Sequence, residues 1–239
     1  CMGYSGFVLL CGTRYHQAYM KSDNERKILC VGVNYRPHIE EMGRKLPKYP
    51  VVFVRFGSSL VGDGEPIVRP KVSEQFDFEG ELAVIIGKSA RHISREDAFD
   101  YIAGYCCFLD GSVRDWQRHT GQFTAGKNFE RSGAIGPMVP AADIEDPAAL
   151  ELTTRVNGEV MQKGKVADLV FDIPTLLEYC STFAELSPGD VIATGTPGGV
   201  GAARTPPVWL KDGDLVEVEI SGLGVLSNPV RDESASNAR

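Results

Sequence analysis

The chain has 239 residues, of which 43% are hydrophobic and 24% are charged. These fractions exclude a largely disordered chain and are typical of a protein that folds around its own core. The formal net charge is −7 and no run of Lys and Arg occurs, so a nucleic-acid partner is not expected. The apolar stretch Phe7–Cys11 is too short to cross a bilayer, so no membrane association is expected either.

The cysteines and the compositional changes along the chain indicate location and domain organisation. The six cysteines form no CxxC pair, and a disulfide framework is more typical of shorter, secreted chains. We therefore expect a reducing, cytoplasmic location. Residues 1–26 are expected to form an irregular N-terminal leader, residues 27–230 a single folded domain, and residues 231–239 a flexible polar tail.

Hydrophobic runs and turn residues predict many short strands and few helices. In chain order, the pattern predicts a strand at 27–33, a helical turn at 36–43, a strand at 51–56, a helix from Ser94 to about Gly104, a strand at 105–109, a short helix at 112–118, a hairpin at 150–162 that turns at Asn157-Gly158, an amphipathic helix at 172–183, and strands at 191–194 and 215–220. Because strict alternation of strands and helices is absent, we expect a mixed α/β, β-rich fold instead of a doubly wound sheet.

The segment 76–86 predicts a strand with an unusual acidic face. Read with a period of two, Asp77, Glu79 and Glu81 share one side, and the apolar continuation predicts burial. Neighbouring buried carboxylates repel one another, and a hard cation such as Mg²⁺, Mn²⁺ or Ca²⁺ would remove this conflict. The alternative is an exposed edge strand whose acidic side chains face water.

Three further residues are candidates for the same site. Asp110 follows the predicted strand at 105–109, where side chains with a function often lie, although an aspartate there can equally cap a turn or helix. His38 and Glu41 stand three residues apart. On a helix they would share a face, and Glu41 could orient His38 as a general base. The alternative is a surface histidine beside an acidic turn.

Seven motifs along the chain resemble those of the fumarylacetoacetate hydrolase family, and specifically of its short bacterial and acylpyruvase-like members. The resemblance runs from about Lys27 to Val230 and depends on all seven motifs occurring in the same order as in the family. The motifs are Val-Gly-Val-Asn-Tyr-x-x-His-x-x-Glu-Met (31–42), Phe-Glu-Gly-Glu-Leu-Ala-Val-Ile-Ile-Gly (78–87), Ser-Val-Arg-Asp-Trp-Gln (112–117), Gly-Lys-Asn-Phe (126–129), Val-Asn-Gly-Glu (156–159), Ser-Pro-Gly-Asp-Val-Ile-Ala-Thr-Gly-Thr-Pro-Gly-Gly-Val-Gly (187–201) and Gly-Leu-Gly-x-Leu-x-Asn-Pro-Val (222–230).

The resemblance implies a catalytic domain with the family's C-terminal-domain fold, a mixed β-sheet roll with a few short helices, usually assembled as a homodimer. It implies Mg²⁺ or Mn²⁺, with Ca²⁺ as a substitute in crystals, held by two strand glutamates and an aspartate. In this chain those ligands are Glu79, Glu81 and Asp110. It further implies that His38 and Glu41 activate water from a lid that orders over the substrate.

The remaining site residues follow from the same resemblance. Lys127 is implied beside the metal, where it contacts substrate or metal-bound water. Arg114 and Gln117 match positions that bind or orient substrate oxygens, and Thr196 matches the residue that binds the substrate carboxylate. Arg55 stands where relatives often carry Lys-Pro; it keeps a cation there and is expected to contact substrate.

The resemblance also implies the reaction. The leading expectation is a hydrolase that cleaves a carbon–carbon bond of a small anionic acylpyruvate or diketo acid, similar to fumarylpyruvate or acetylpyruvate, as in aromatic catabolism. The alternative is an isomerase or decarboxylase of a 2-oxo acid, similar to 2-hydroxyhepta-2,4-diene-1,7-dioate or oxaloacetate. A third hypothesis, from another class, is a binding protein that has lost catalysis.

Overall fold

The computed structural model describes residues 26–234. Residues 1–25 of the predicted leader and residues 235–239 of the predicted tail therefore lie outside the described residues. Within the predicted tail, Arg231 and Asp232 end the last strand. None of the described helices is long and apolar enough to span a membrane.

The described residues form many short strands and four short α-helices. The strands are β1 (Ile28–Gly32), β2 (Val51–Arg55), β3 (Leu60–Val61), β4 (Ile67–Arg69), β5 (Phe76–Asp77), β6 (Gly80–Ile86), β7 (Ile102–Leu109), β8 (Ser112–Val113), β9 (Gly133–Ile135), β10 (Val139–Pro140), β11 (Glu151–Val156), β12 (Glu159–Lys165), β13 (Val191–Ala193), β14 (Leu215–Ile220) and β15 (Gly224–Asp232). The helices are α1 (Arg36–Glu41), α2 (Arg114–Gln117), α3 (Thr124–Lys127) and α4 (Ile173–Phe183). The β-rich mixed fold that the sequence predicts is confirmed.

Two sheets enclose the main core. The larger sheet has the strand order β2-β1-β13-β6-β7-β9-β3, with β10 also paired to β7, and the smaller one has the order β12-β11-β14-β15-β4. Leu82 and Val84 of β6 belong to the same apolar cluster as Leu152 of β11 and Val218 of β14. The opposite face of β6 is covered as well, because Ala83 and Ile85 lie in a second buried cluster. β6 is therefore a central strand with both faces buried, and the alternative of an exposed acidic edge strand is wrong.

The hairpin and the long helix form as their local sequences predict. Asn157 and Gly158 connect β11 and β12 with φ angles of 52° and 82°, the positive values that a type I′ turn requires. Asp172 caps α4 by accepting a hydrogen bond from the Thr175 amide at 2.9 Å, and Leu176 and Leu177 are buried on its inner face. In both elements, local chemistry and tertiary burial favour the same conformation.

The predicted helix from Ser94 to Gly104 is wrong. Only a 3₁₀ turn, Ala98–Tyr101, forms before β7 begins at Ile102. The Ser94 hydroxyl does accept a hydrogen bond from the Asp97 amide at 3.2 Å, as a helix cap would. The apolar residues that follow pair with β6 instead, starting at Ile86 and Ile102. Sheet pairing thus overrides the local helix preference.

Candidate metal centre and active site

Three buried carboxylates meet where β6 and β7 pair. Glu79 directly precedes β6, Glu81 is the second residue of β6, and Asp110 directly follows β7. The antiparallel register places Gly80 opposite Leu109, and the Asp110 amide donates a hydrogen bond to the Glu79 carbonyl at 2.8 Å. Oxygen atoms of the three carboxylates consequently lie within 4.8 Å of one another. We call Glu79, Glu81 and Asp110 the acidic triad.

The electrostatics of the acidic triad favour a bound cation. Burial, with Asp110 and Glu79 nearby, raises the pKa of Glu81 well above its usual range. Burial also opposes ionisation of Glu79, but the adjacent Arg114 and Lys127 outweigh it and hold the pKa of Glu79 well below its usual range. Three buried carboxylate oxygens form a hard ligand set of the kind that Mg²⁺ and Mn²⁺ prefer. The acidic triad therefore fits a divalent cation.

Lys127 lies directly against the acidic triad. Its Nζ atom donates to Glu79 Oε2 at 2.5 Å and contacts the Asp110 carboxylate, and its side chain is 1% exposed. Burial opposes the charged form, but Asp110 and Glu79 outweigh it and raise the pKa of Lys127. The backbone requires a glycine just before it, because a Cβ at Gly126 would lie 2.5 Å from the Gln117 amide. Close packing of α3 on α2 thus fixes a charged ammonium beside two carboxylates.

Arg114 and Gln117 extend the site from α2. Arg114 donates from Nε to Asp77 Oδ2 at 2.7 Å and from Nη1 to Gln117 Oε1 at 3.0 Å. Its Nη2 atom lies 2.7 Å from Glu79 Oε1, an ion pair outside hydrogen-bond geometry. Asp77 and Glu79 also raise the pKa of Arg114 against the opposing effect of burial. Arg114 is therefore a permanent cation that bridges two carboxylates.

Asp77 does not join the acidic triad, although the period-two reading places it on the same face. The strand is interrupted between β5 and β6, and the Asp77 carboxylate accepts hydrogen bonds from the amides of Gly201 and Ala202 at 2.8 and 3.0 Å. Together with its bond to Arg114, these contacts attach α2 to the glycine-rich loop that follows β13. Sequence reasoning missed this role, which depends on contacts more than 35 residues away.

Arg55 lies behind Asp110. Its guanidinium donates to Asp110 Oδ1 at 2.6 Å, to the Gly111 carbonyl, and to Ser59 and Ser132. The side chain is fully buried and does not line the cavity next to α1. The structure therefore assigns Arg55 to holding Asp110, and the expected substrate contact has no support in this geometry.

His38 and Glu41 lie on α1, over one cavity that also contains most of the other predicted site residues. His38 Nδ1 lies 2.8 Å from Glu41 Oε1, and Glu41 Oε2 accepts a hydrogen bond from the Gly199 amide at 2.7 Å. This pairing favours the tautomer with the proton on Nδ1, which leaves Nε2 free to accept a proton. The site cavity has a volume of about 400 Å³ including its open mouth and is lined by Val31, Gly32, Val33, His38, Met42, Arg44, Phe53, Glu79, Glu81, Arg114, Gln117, Phe123, Lys127 and Thr196.

Thr196 reaches the site cavity, but its hydroxyl group is already engaged. It donates to the Gly80 carbonyl at 2.8 Å and accepts from Gln162 Nε2 at 2.8 Å. Its single proton is thereby used, so direct donation to a substrate carboxylate would require the Gly80 bond to break. Gln162 also binds the Gly80 amide and the Pro197 carbonyl. Sequence reasoning missed Gln162, because its role depends on contacts between β12, β6 and the Thr196 loop.

The sequence and the fold both match one family of enzymes. The family model described as fumarylacetoacetate (FAA) hydrolase C-terminal matches residues 27–231, and the chain belongs to this family. The chain is 44% identical over 210 residues to "Oxaloacetate tautomerase fahd2, mitochondrial" of Xenopus laevis. The aligned residues are 87% of this chain and 66% of that protein. The chain thus spans just under two thirds of the length of that curated relative.

Two solved structures show how widely the family's named reactions differ. The 5-carboxymethyl-2-hydroxymuconate delta-isomerase from Mycobacterium smegmatis is 38% identical, with a TM-score of 0.77 over 87% of this chain and 79% of that one. The fumarylpyruvate hydrolase from Pseudomonas aeruginosa, in complex with Mn²⁺ and pyruvate, is 33% identical, with a TM-score of 0.80 over 87% of this chain and 90% of that one. Family membership therefore shows an enzyme fold without selecting among tautomerisation, isomerisation and hydrolysis.

Proposed function

We propose that this chain is a divalent-metal-dependent enzyme that tautomerises a small anionic 2-oxo acid. The observation that carries the proposal is that a proton acceptor and a charged ammonium, His38 and Lys127, line one cavity with two carboxylates of the acidic triad, Glu79 and Glu81. The third carboxylate, Asp110, lies directly behind them and is paired with Lys127. The acidic triad would hold Mg²⁺ or Mn²⁺, and the cation would supply Lewis-acid polarisation of the substrate carbonyl. A curated relative named as an oxaloacetate tautomerase, at 44% identity, supports the same class of reaction.

The charges around the site support an anionic substrate. Four buried carboxylates, those of Asp77 and the acidic triad, share the site with three buried cations, Arg55, Arg114 and Lys127. The cations form ion pairs with Asp77, Glu79 and Asp110. If all are ionised, one negative charge is left over, and a divalent cation converts this to one positive charge. Buried charges are costly unless they are compensated. An anionic ligand would restore neutrality.

The protein residues would carry out the proton transfers. His38, with its Nδ1 proton held by Glu41, would remove a proton from the carbon next to the substrate carbonyl through Nε2. Lys127 would stabilise the negative charge that develops on the carbonyl oxygen through the positive charge of its ammonium group. Return of the proton from His38 to that oxygen would give the enol, and the reverse sequence would give the keto acid. Arg114 would orient the substrate through its charge.

Hydrolysis of a carbon–carbon bond in a diketo acid is the second candidate. The contact between His38 and Glu41 favours it, because an oriented imidazole can equally remove a proton from a water molecule. That water would attack the carbonyl distal to the carboxylate, and the bond from this carbon to the adjacent CH₂ would break. The products would be a carboxylic acid and the enolate of the remaining 2-oxo acid, which would take the proton back from His38. The relative named fumarylpyruvate hydrolase supports this candidate.

The test compares two substrates with and without metal. Protein treated with EDTA would be assayed for enol–keto conversion of oxaloacetate and for cleavage of acetylpyruvate, before and after Mn²⁺ or Mg²⁺ is added. Metal-restored turnover of oxaloacetate supports the tautomerase, and metal-restored cleavage of acetylpyruvate supports the hydrolase instead. Turnover that is insensitive to EDTA, or none with metal bound, would refute the proposal.

A histidine pair provides the matched control for that assay. His38→Ala is expected to reduce kcat by about 10²- to 10⁴-fold, the usual contribution of a general base. His92 is exposed and does not line the site cavity. Its φ angle is 53°, which asparagine tolerates, so His92→Asn should keep the wild-type rate. Full activity in His38→Ala would show that another group moves the proton.

A further inference from the structure

Arg44 is a cation at the site cavity that the proposed chemistry does not use. The end of α1 fixes its position. Gly43 has a φ angle of 60°; its amide donates to the Glu40 carbonyl at 3.0 Å, and the Arg44 amide donates to the Ile39 carbonyl at 2.9 Å. These two bonds form a Schellman motif, a regular helix ending. The residue after the glycine is therefore held at a defined place, although its side chain is exposed.

The side chain of Arg44 lies against an aromatic pair in the cavity wall. Its guanidinium carbon is 5.7 Å from the ring centroid of Phe123. Phe123 packs edge-on against Phe53, with 5.6 Å between the ring centroids. Lys127 Nζ lies 5.2 Å from the Phe53 ring centroid. The two aromatic rings thus separate two cations, one at each end.

The two cations differ in what they bind. Lys127 is buried and paired with Glu79 and Asp110. Between residues 26 and 234, no carboxylate forms an ion pair with Arg44, and its guanidinium lies over the Phe123 ring. An arginine stacked on an aromatic face keeps its N–H donors available for a carboxylate. A ligand that reaches from the acidic triad to Arg44 therefore needs a carboxylate at the Arg44 end and a short apolar link that passes the two aromatic rings.

We propose that Arg44 forms a distal subsite that binds the second carboxylate of a dicarboxylic 2-oxo acid. This inference rests on the proposed function, in which the first carboxylate and the oxo group lie at the acidic triad. Because Arg44 is exposed, its attraction for the carboxylate is screened by solvent. It therefore acts as a specificity residue that favours dicarboxylates by about three- to tenfold, and it does not contribute to the proton transfers.

The test uses two stable ligands of equal chain length, 2-oxoglutarate and 2-oxopentanoate, which differ in the distal carboxylate. Each is titrated calorimetrically into Mn²⁺-loaded wild-type protein, Arg44→Gln and Lys45→Gln. Lys45 is the matched control, because it is the next residue, is exposed and does not line the site cavity. We expect wild type and Lys45→Gln to bind 2-oxoglutarate about three- to tenfold more tightly than 2-oxopentanoate. Arg44→Gln should lose this preference through weaker binding of 2-oxoglutarate alone.

Two other outcomes separate this inference from the proposed function. If wild type shows no preference, or if Arg44→Gln weakens both ligands equally, the distal subsite is refuted while 2-oxo acid binding stands. If neither ligand binds the Mn²⁺-loaded wild type, the proposed function fails and the inference fails with it. Thermal unfolding of Arg44→Gln, expected to match wild type, shows that the variant is folded.

Discussion

Replacing Arg55 by methionine tests whether a buried cation holds Asp110 in place. The guanidinium makes five hydrogen bonds, including the 2.6 Å contact with Asp110, and both side chains of that ion pair are fully buried. Methionine keeps much of the volume but leaves the Asp110 charge and several acceptors without this partner. Removing one partner of a buried ion pair typically costs about 3–5 kcal/mol. Lys127 remains near Asp110, so the lower half of that range is expected.

Urea denaturation in EDTA measures this loss without a contribution from bound metal. With an m-value of about 3 kcal/mol per M, a loss of about 3–4 kcal/mol should lower the midpoint by about 1–1.3 M. Arg131→Met is the matched control, since the ion pair of Arg131 with Glu65 is largely exposed and should contribute less than about 1 kcal/mol.

A double-mutant cycle with Asp110→Asn separates the ion pair from simple packing. If the cost of Arg55→Met arises from an uncompensated Asp110 charge, it should shrink by about 2 kcal/mol when residue 110 is already asparagine. An unchanged cost in that background, or a wild-type midpoint in Arg55→Met, would refute the assignment of Arg55 to holding Asp110.

Three further predictions concern the metal, the pH and the packing. Burial, Asp110 and Glu79 raise the pKa of Glu81, so its negative charge is unfavourable when no metal is bound. In EDTA, Glu81→Gln should therefore melt no lower than wild type. The thermal stabilisation that Mn²⁺ gives wild type should be lost in this variant. Asp172 caps α4. Burial opposes ionisation of Asp172, but hydrogen bonds to Thr175 and Arg95 hold its pKa below the ordinary 3.8. The charge of Asp172 therefore stabilises the fold above about pH 4, and this stabilisation is lost as the pH falls. Asp172→Asn should remove that pH dependence while keeping the cap, and Asp172→Ala should cost about 1 kcal/mol at pH 7 in denaturant titrations. Gly201→Ala should cost about 1–3 kcal/mol by the same assay, because its Cβ would lie 1.9 Å from the Val208 carbonyl oxygen, whereas Gly121→Ala, with open space around it, should be nearly neutral.

The strand pattern and the family resemblance together predict the acidic triad, because the strand pattern alone leaves Asp110 open as a turn or helix cap. A period-two reading places Glu79 and Glu81 on one side of a strand, and the end of the next apolar run provides Asp110. Antiparallel pairing of neighbouring strands then brings the three together. The same reading fails for Asp77, because the strand breaks after it and the side chain turns to the Gly201 amide instead. Strand periodicity carries no information about such a break.

Long-range contacts explain the other differences. Arg55 and Asp110 are 55 residues apart, and no local pattern indicates that this arginine is buried behind a carboxylate instead of facing the cavity. The Thr196 hydroxyl is occupied by Gln162, a residue from the other sheet. Ser94 carries a good helix-capping sequence, yet pairing with β6 determines the structure of the residues after it. In each case a partner distant in the chain decides the outcome.

The site is divided between two kinds of backbone. The acidic triad lies on paired strands whose positions are fixed by a ladder of main-chain hydrogen bonds, whereas His38, Arg44 and Phe123 lie on or beside the short helices α1 and α3. Substitutions or length changes in these outer segments would reshape substrate contacts without disturbing the strands that carry the carboxylates. Changes in the outer segments of such a fold can alter the substrate and even the reaction, while the buried carboxylates stay in place. The tautomerase, isomerase and hydrolase names among its relatives are the diversity that this division of labour would produce.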